Sequence, residues 1–201
     1  QQRMQAIAQQ READKAQRQH DAATAAAQRW EAAEPAPADH PYLAKKGVHA
    51  HGTRVESDGF LIVPMRDTNG KLWNIERINP ANFKDKKGLL GGRRTGLYYS
   101  IGKPKGVLIV CEGFATGASI HEATGDAVAV AFNAGNLREV AQVLHSNYPK
   151  LRLILAADDD AFTDGNPGIT KATEAARAVG GYLTKPDFGE QRSEAETDFN
   201  D

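Results

Sequence analysis

The sequence predicts an α/β protein: a parallel sheet flanked by helices, preceded by a small antiparallel β-containing subdomain and an N-terminal helix. Three observations predict this architecture. Residues 1–34 are rich in alanine and glutamine and contain no glycine or proline. Residues 60–78 have the alternation of a β-hairpin, and from residue 107 onward apolar runs alternate with helical segments. We expect four parts: helix and linker 1–39, basic β-rich subdomain 40–105, α/β domain 106–186, and acidic tail or linker 187–201.

The N-terminal segment favours helix because alanine and glutamine dominate it. Large apolar residues are scarce there, so the segment lacks the wide apolar stripe of a core helix. The chain begins with Gln1 and not with Met, and we therefore expect a piece of a longer polypeptide whose first helix is peripheral. The Pro-Ala-Pro run at residues 35–37 ends this helix.

The next segment reads as an antiparallel module. Residues 60–65 form an apolar strand, residues 67–70 contain an Asn-Gly turn, and residues 71–78 form the return strand. A further short strand is expected at residues 97–99, after a glycine-rich loop.

From residue 107 the pattern changes to strands alternating with helices. The predicted strands are 107–111, 127–132, 151–156 and 182–184, and the predicted helices are 114–123, 137–146 and 169–179. Asn136 stands where it can cap the second of these helices. Uninterrupted apolar strands joined by helices are typical of a parallel sheet covered on both faces. Functional sites in such sheets lie beyond the carboxyl ends of the strands.

Acidic side chains follow two of these strands. Glu112 comes directly after strand 107–111, and Asp158-Asp159-Asp160 follows strand 151–156. Carboxylates held together repel one another, so they need a cation, and oxygen ligands without His or Cys suit Mg²⁺ or Mn²⁺. Asp158 and Asp160 lie two residues apart and point the same way in extended chain, whereas Asp159 points elsewhere.

The charge is distributed unevenly along the chain. The 25 basic and 26 acidic residues nearly cancel, yet residues 66–105 carry 10 basic and 3 acidic side chains. Residues 187–201 carry 1 basic and 6 acidic side chains, which is typical of a disordered segment or a linker. A basic block beside an acidic one favours a polyanionic partner, although a solvated basic loop has the same composition.

Composition also excludes several classes of protein. A single cysteine, Cys111, excludes an internal disulfide framework and a cysteine-based zinc cluster. No apolar run is as long as a membrane span, and no signal-peptide pattern opens the sequence. We therefore expect a cytoplasmic protein without a membrane partner.

The two acidic strand ends resemble the Toprim domain, the Rossmann-like catalytic fold shared by bacterial-type primases, topoisomerases and some nucleases. Its signature is an apolar strand ending in Glu-Gly, here Glu112-Gly113, and a later strand ending in Asp-x-Asp, here Asp158 to Asp160. The chain is more closely similar to the primases of plasmids and phages, a likeness carried by residues 91–94, 132–137 and 166–172. The Toprim likeness covers about 107–186, and the wider one reaches back to about residue 40.

The resemblance implies metal-dependent, DNA-templated synthesis of RNA primers from nucleoside triphosphates on single-stranded DNA, in plasmid or phage replication. Glu112, Asp158 and Asp160 would hold Mg²⁺ or Mn²⁺, although some Toprim enzymes assign acid–base work to the glutamate. A helicase or other replication domain is expected in the full-length chain. Basic residues expected to contact DNA or nucleotide are Arg77, Lys84, Arg93, Arg94 and Lys171. Supporting residues are Gly113, Asp159, Asn133 and Asn136.

Other classes use similar acids. A Toprim nuclease or topoisomerase would cleave DNA with the same carboxylates. A phospho-receiver domain also places acids at strand ends, but its paired acids follow the first strand and its lone aspartate the third, the reverse of the order here. A catalytically inactive DNA-binding module is a further alternative.

Overall fold

The computed structural model describes residues 1–190 and 192–201. Within this part of the chain, two five-stranded sheets follow a long N-terminal helix, and the predicted fold class is confirmed. The first sheet is antiparallel with order β1-β2-β3-β4-β5, and the second has order β10-β9-β7-β8-β6. No helix among these residues combines the length and the apolar character needed to cross a membrane.

Helix α1 (Gln2–Ala32) is peripheral along its first half, where residues 1–18 are all exposed. Its last turns pack on the antiparallel sheet: Ala26 is fully buried against Ile62 and Ile75, with Trp30 beside them. The expectation of a peripheral helix therefore fits the first half and not the second. The small side chain of Ala26 allows the helix to lie close to the sheet, although this part of the sequence contains few large apolar residues.

The antiparallel sheet contains the predicted hairpin and three strands that were not predicted. Its strands are β1 (Glu34–Pro35), β2 (Arg54–Val55), β3 (Leu61–Arg66), β4 (Leu72–Asn79) and β5 (Asn82–Gly88), with the short helix α2 (Pro41–Lys46) between β1 and β2. The strands β1 and β2 are too short to show a periodic pattern in the sequence. Strand β5 is mostly polar and carries three lysines, and it forms by pairing with β4, where Lys87 lies opposite Arg77.

The second sheet follows the predicted alternation, with bounds that differ from the prediction by two residues or fewer. Its strands are β6 (Tyr99–Ile101), β7 (Val107–Cys111), β8 (Ala127–Val130), β9 (Arg152–Ala156) and β10 (Tyr182–Thr184), and its helices are α3 (Phe114–Thr124), α4 (Leu137–Asn147) and α5 (Pro167–Val179). Strands β7 to β10 pair in parallel, and β6 pairs antiparallel with β8.

Helices cover both faces of this sheet, as alternating burial along β7 illustrates. Leu108 and Val110 pack against α4 and α5. Ile109 and Cys111 pack with α3 and with side chains of α2 and β3, so α3 lies between the two sheets. Cys111 is a buried free thiol in this core. The parallel strands therefore have fixed carboxyl ends, all at one edge of the domain.

The acidic tail differs from the disordered segment or linker that its composition predicts. Its described residues lie on the parallel-sheet domain: Phe199 packs against the core, and the Asn200 amide donates to the Lys46 carbonyl (2.7 Å) and the Ser119 hydroxyl (2.9 Å). One aromatic side chain and specific hydrogen bonds outweigh a composition that by itself favours solvent. The division into four domains stays a prediction.

Candidate active site

The carboxyl ends of β7 and β9 lie side by side because these strands are hydrogen-bonded neighbours, with Val110 opposite Leu155. Glu112 directly follows β7, and its carbonyl accepts a hydrogen bond from the Phe132 N–H (2.8 Å), which fixes its backbone. Asp158 follows β9 at the same edge. The structure thus brings together two predicted carboxylates that are 46 positions apart in the sequence.

Burial and neighbouring negative charges raise the pKa values of these two carboxyls. Burial, then the charges of Asp160 and Asp198, raise the pKa of Glu112 to about 7, although a backbone hydrogen bond from Ala134 acts in the opposite direction. Burial, then the charge of Glu112, raises the pKa of Asp158 to about 8. The charge of Glu112 therefore makes ionisation of Asp158 more costly, and the charge of Asp160 does the same for Glu112.

Two oxygens of this cluster lack partners. Glu112 Oε1 and Asp158 Oδ1 are buried and accept no hydrogen bond from any described residue. A buried carboxylate oxygen without a donor costs free energy that a bound cation recovers. Unpaired, mutually repelling oxygens from Asp and Glu are therefore a donor set that fits Mg²⁺ or Mn²⁺.

Asp160 is held by the start of α5. Its Oδ2 accepts from the Gly168 N–H (3.0 Å), and its own N–H donates to Asn166 Oδ1 (3.0 Å). A Cβ at Gly168 would run into the backbone carbonyl of Asp158 and would come within 3.0 Å of the Asp160 carboxylate. Only glycine fits this position without moving the acidic turn.

Asp159 points away from the cluster, as its alternation with its two neighbours predicts. Its buried carboxylate binds Lys185 Nζ (2.9 Å), Arg192 Nη1 (2.9 Å) and the Asn166 amide (2.7 Å). These contacts, that of Lys185 first, lower its pKa to about 2. Asp159 therefore supports the site by fixing the tail, and Lys185 and Arg192 are supporting residues that the sequence did not reveal.

A further acid, Asp198, was missed. The Thr197 carbonyl accepts from the Asp159 N–H (2.7 Å), so the neighbouring Asp198 lies beside the cluster, where its charge raises the pKa of both Glu112 and Asp158. The sequence feature that could have indicated a docked tail is Phe199, a large apolar residue in an acidic segment.

The supporting residues act differently from the prediction. Asn136 occupies the N-cap position directly before α4, but its side chain makes no capping hydrogen bond. Its buried amide instead donates to the carbonyls of Leu97 (3.0 Å) and Ala131 (2.9 Å) and accepts from the Gly96 N–H (2.9 Å), which joins the subdomain to the sheet. The prediction of a helix cap was wrong, because three buried backbone groups compete for the same side chain.

The two other supporting residues flank Glu112. Asn133 precedes a short 3₁₀ turn (Ala134–Asn136) and also makes no side-chain cap. Gly113 precedes α3 with φ −97°, which other residues adopt, and a Cβ there would meet the Thr116 hydroxyl at 3.2 Å. Gly113 follows Glu112 directly, and Asn133 follows Phe132, whose N–H donates to the Glu112 carbonyl.

Of the predicted basic residues, Arg77 and Lys171 are engaged by neighbours. Arg77 binds Glu56 and, at 2.6 Å, Asp58, and its guanidinium lies 4.0 Å from the Phe60 ring centre. Lys171 pairs with Glu174 on α5 (2.9 Å). For Arg77, acids of the loop before β3 supply the partner that we expected DNA to supply.

The other three predicted basic residues are more available for contact with DNA or nucleotide. Lys84 is exposed on β5. Arg93 lies 5.1 Å from the Trp73 ring centre, and Arg94 is 3.9 Å from the buried Glu76 carboxylate and has a side chain 40% exposed. Tyr42 packs between Phe83 of β5 (5.4 Å between ring centres) and Phe114 of α3 (6.4 Å), and burial, then the charges of Glu76 and Asp198, raise its pKa.

A mostly parallel sheet with acids after two adjacent strands is the arrangement expected of a Toprim domain. Residues 107–201 match the family model described as Toprim domain. The match reaches the end of the chain and includes the tail, whereas the expected likeness ended at about residue 186. Toprim domains bind divalent metal ions, in agreement with the donor set described above.

The relatives place the chain more narrowly. Two curated Escherichia coli proteins named DNA primase TraC are similar to it: one is 35% identical over 188 residues, 88% of this chain and 18% of the relative, and the other is 36% identical over 159 residues, 74% and 11%. The chain thus spans less than a fifth of either relative. Residues 107–201 thus form a Toprim domain, and the chain is similar in sequence to plasmid-type DNA primases.

Solved structures show the same fold. The primase fragment of the bacteriophage T7 primase-helicase protein matches with a TM-score of 0.57 at 15% identity, over 80% of this chain and 67% of that one. A DnaG catalytic core matches with a TM-score of 0.54 at 12% identity, over 89% and 73%. At these identities the likeness concerns the fold alone.

Proposed function

We propose that the chain is the catalytic region of a DNA primase that synthesises short RNA primers on single-stranded DNA from nucleoside triphosphates. The observation that carries the proposal is the convergence of Glu112, Asp158, Asp160 and Asp198, in which two buried carboxylate oxygens have no partner among the described residues. The names of the curated relatives give the activity to be tested.

In this proposal Glu112, Asp158 and Asp160 hold Mg²⁺ or Mn²⁺, with Asp198 completing the set. A divalent ion bound there would lower the pKa of a primer 3′-hydroxyl and neutralise charge on a triphosphate. The chain's own residues supply the positioning: Gly168 and Asn166 fix Asp160, and Asp159 fixes the tail segment that carries Asp198.

Basic residues of the antiparallel subdomain bind the polyanions. Lys84 lies on β5, and Arg93 and Arg94 lie in the loop that follows β5. Contacts of basic side chains with phosphates supply most of the affinity for nucleic-acid backbones. Lys171 lies near the start of α5. It would leave its ion pair with Glu174 and bind a phosphate instead. Arg77 is assigned a structural role.

In this proposal the full-length protein also contains a helicase or another replication domain. The T7 protein whose primase fragment has the same fold is named a primase-helicase, which is an example of such a combination.

Primer synthesis on single-stranded DNA with Mg²⁺ or Mn²⁺ tests the proposal. We expect labelled short RNA from the wild-type chain, and its loss in Glu112→Gln and Asp158→Asn. Glu139→Gln, on the exposed side of α4, serves as a matched control and keeps activity. Metal-dependent cleavage of the template without primer synthesis would assign the site to a nuclease instead. Undiminished synthesis in both site variants would refute the assignment of the carboxylates.

A further inference from the structure

A second cluster of metal-ligating side chains lies away from the carboxylates. His49 and His51 belong to the loop between α2 and β2, and Glu122 lies near the end of α3. Glu122 Oε2 is 3.2 Å from His49 Nδ1, and Glu122 Oε1 is 2.6 Å from His51 Nε2. The sequence shows only a His-x-His pair, because the glutamate is 71 positions from His51.

We propose that His49, His51 and Glu122 form a binding site for a transition-metal ion of the Zn²⁺ type that joins the antiparallel subdomain to the Toprim domain. One ligand atom from each side chain lies within 4.8 Å of the other two. Zinc binds imidazole nitrogen and carboxylate oxygen at about 2.0–2.2 Å, so tetrahedral ligand atoms lie roughly 3.4 Å apart. The three side chains therefore need to move little to share one ion.

The loop is ordered in this shape by contacts that do not involve the ligand atoms of the histidines. The His49 N–H donates to Glu122 Oε1 (2.9 Å), and the Ala50 carbonyl accepts from both the N–H (2.9 Å) and the hydroxyl (2.8 Å) of Thr53. The Tyr99 hydroxyl donates to the His51 carbonyl. His51 has φ +47°, a left-handed conformation that costs a non-glycine residue free energy and is held here by these bonds.

The donor set separates this site from the carboxylate cluster. Imidazole nitrogens favour zinc, nickel and copper, whereas all-oxygen sites favour magnesium and manganese. The two sites also lie apart, since Gly113 and Glu122 are roughly 13 Å from each other along the axis of α3 at about 1.5 Å per residue. The His49 side chain is 81% exposed, so an ion held here remains open to water or to a further ligand.

The consequence of binding is a cross-link between two parts of the fold. The ion would tie the loop after α2 to the last turn of α3, next to His121, whose ring packs edge-on to that of His51 at 5.4 Å. A ligand that binds the folded state raises its stability. This inference does not rest on the proposed primase activity.

Metal titration of the 201-residue chain, first stripped with a chelator, tests the site. Co²⁺ is the spectroscopic probe and Zn²⁺ the stabilising ion. The titration is done with Glu112→Gln/Asp158→Asn as the starting protein, so that the carboxylate cluster does not contribute. We expect one equivalent of Co²⁺ with visible absorption bands of nitrogen–oxygen coordination, and a rise in melting temperature with Zn²⁺.

Single variants then identify the ligands. Loss of a supporting partner alone weakens metal affinity about 10–100-fold, so we expect at least a tenfold loss in His49→Ala and in Glu122→Gln. His49 is exposed, and its variant should keep the fold, which circular dichroism checks. His145→Ala, an exposed histidine on α4, is the control and should bind normally. Absence of the Co²⁺ bands, or bands unchanged in His49→Ala, would overturn the proposal.

Discussion

The backbone N–H of Asp159 donates a hydrogen bond to the carbonyl of Thr197 over 2.7 Å. This bond joins the turn after β9 to the tail, and the Asp159 side chain reinforces it through Lys185 and Arg192. Asp198 is thereby placed beside Glu112 and Asp158. The acidic site is thus built from three separated parts of the chain, and the tail is one of them.

Glu112 and Asp158 should make the metal-free protein less stable as the pH rises. Their folded-state pKa values are raised above the ordinary 4.5 and 3.8 to about 7 and about 8, so the folded state binds more protons than the unfolded state between pH 4 and pH 8. The free energy of unfolding therefore falls across this window. In Glu112→Gln the fall in the free energy of unfolding between pH 4 and pH 8 should be smaller than in the wild type by on the order of 2 kcal/mol.

Urea denaturation with a chelator at both pH values measures this effect. Glu139→Gln provides the comparison at an exposed position and should follow the wild type. A pH dependence that is the same in Glu112→Gln and in the wild type would contradict the repulsion between the two carboxyls.

Gly168→Ala should damage the site from within the fold. The added methyl group would meet the Asp158 carbonyl and displace the turn that holds Asp160. We expect a loss of metal affinity of about tenfold or more, as for other supporting positions. Gly113→Ala is the comparison, because its methyl group meets only the Thr116 hydroxyl at 3.2 Å, and calorimetric titration with Mn²⁺ should show a much smaller change. Equal effects of the two variants would contradict the close approach of α5.

Asp159→Asn should release the tail. The change removes the charge that holds Lys185 and Arg192, whose contacts lower the pKa of Asp159 to about 2. Because the folded-state pKa is lowered, this stabilisation is complete above about pH 4 and is lost as the pH falls toward 2. Limited proteolysis at pH 7 should cut the tail of the variant faster than that of Glu174→Gln, which changes an exposed acid of α5. An unchanged cleavage rate would mean that the ion pairs do not hold the tail.

The double variant Arg93→Gln/Arg94→Gln should change DNA binding, whereas Arg77→Gln should change stability. The double variant should bind single-stranded DNA more weakly, with a salt dependence reduced by roughly 0.7 for each lost phosphate contact. Arg77→Gln should instead lower the melting temperature, since among the described residues it leaves Glu56 with Arg29 alone as a basic partner and removes the arginine that binds Asp58. Fluorescence anisotropy at several salt concentrations, together with thermal denaturation, distinguishes the two. A reduced salt slope in Arg77→Gln alone would reverse the assignments.

Asn136→Ala should destabilise the junction between the two sheets. It leaves the Gly96 N–H and the carbonyls of Leu97 and Ala131 without their side-chain partner in a buried place. Unpaired buried groups cost about 1–3 kcal/mol each, so the three groups together should lower the free energy of unfolding by at least about 3 kcal/mol in urea denaturation. Asn147→Ala, whose amide bonds the Val143 carbonyl at the exposed end of α4, should cost far less. A similar cost for both would contradict the junction role.

The predicted elements were recovered where the pattern is local. The apolar runs of β7 and β9, the hairpin of β3 and β4, and glycine at the ends of α3 and α5 each leave a signal within a few residues. The alternation of Asp158, Asp159 and Asp160 also predicted which side chain would turn away, and Asp159 does so. Strand β5 left no such signal because pairing with β4, and not a buried face, maintains it.

The sequence by itself determined the order of strands and helices and the two acidic strand ends, because periodicity and chain direction fix these features locally. Only the tertiary structure decided that Asp198 joins the acids, that Glu56 and Asp58 occupy Arg77, and that Glu122 meets the two histidines. The physical reason is that each of these contacts joins residues distant along the chain. Their energies depend on packing that brings the partners together, and composition cannot distinguish a docked acidic tail from a solvated one.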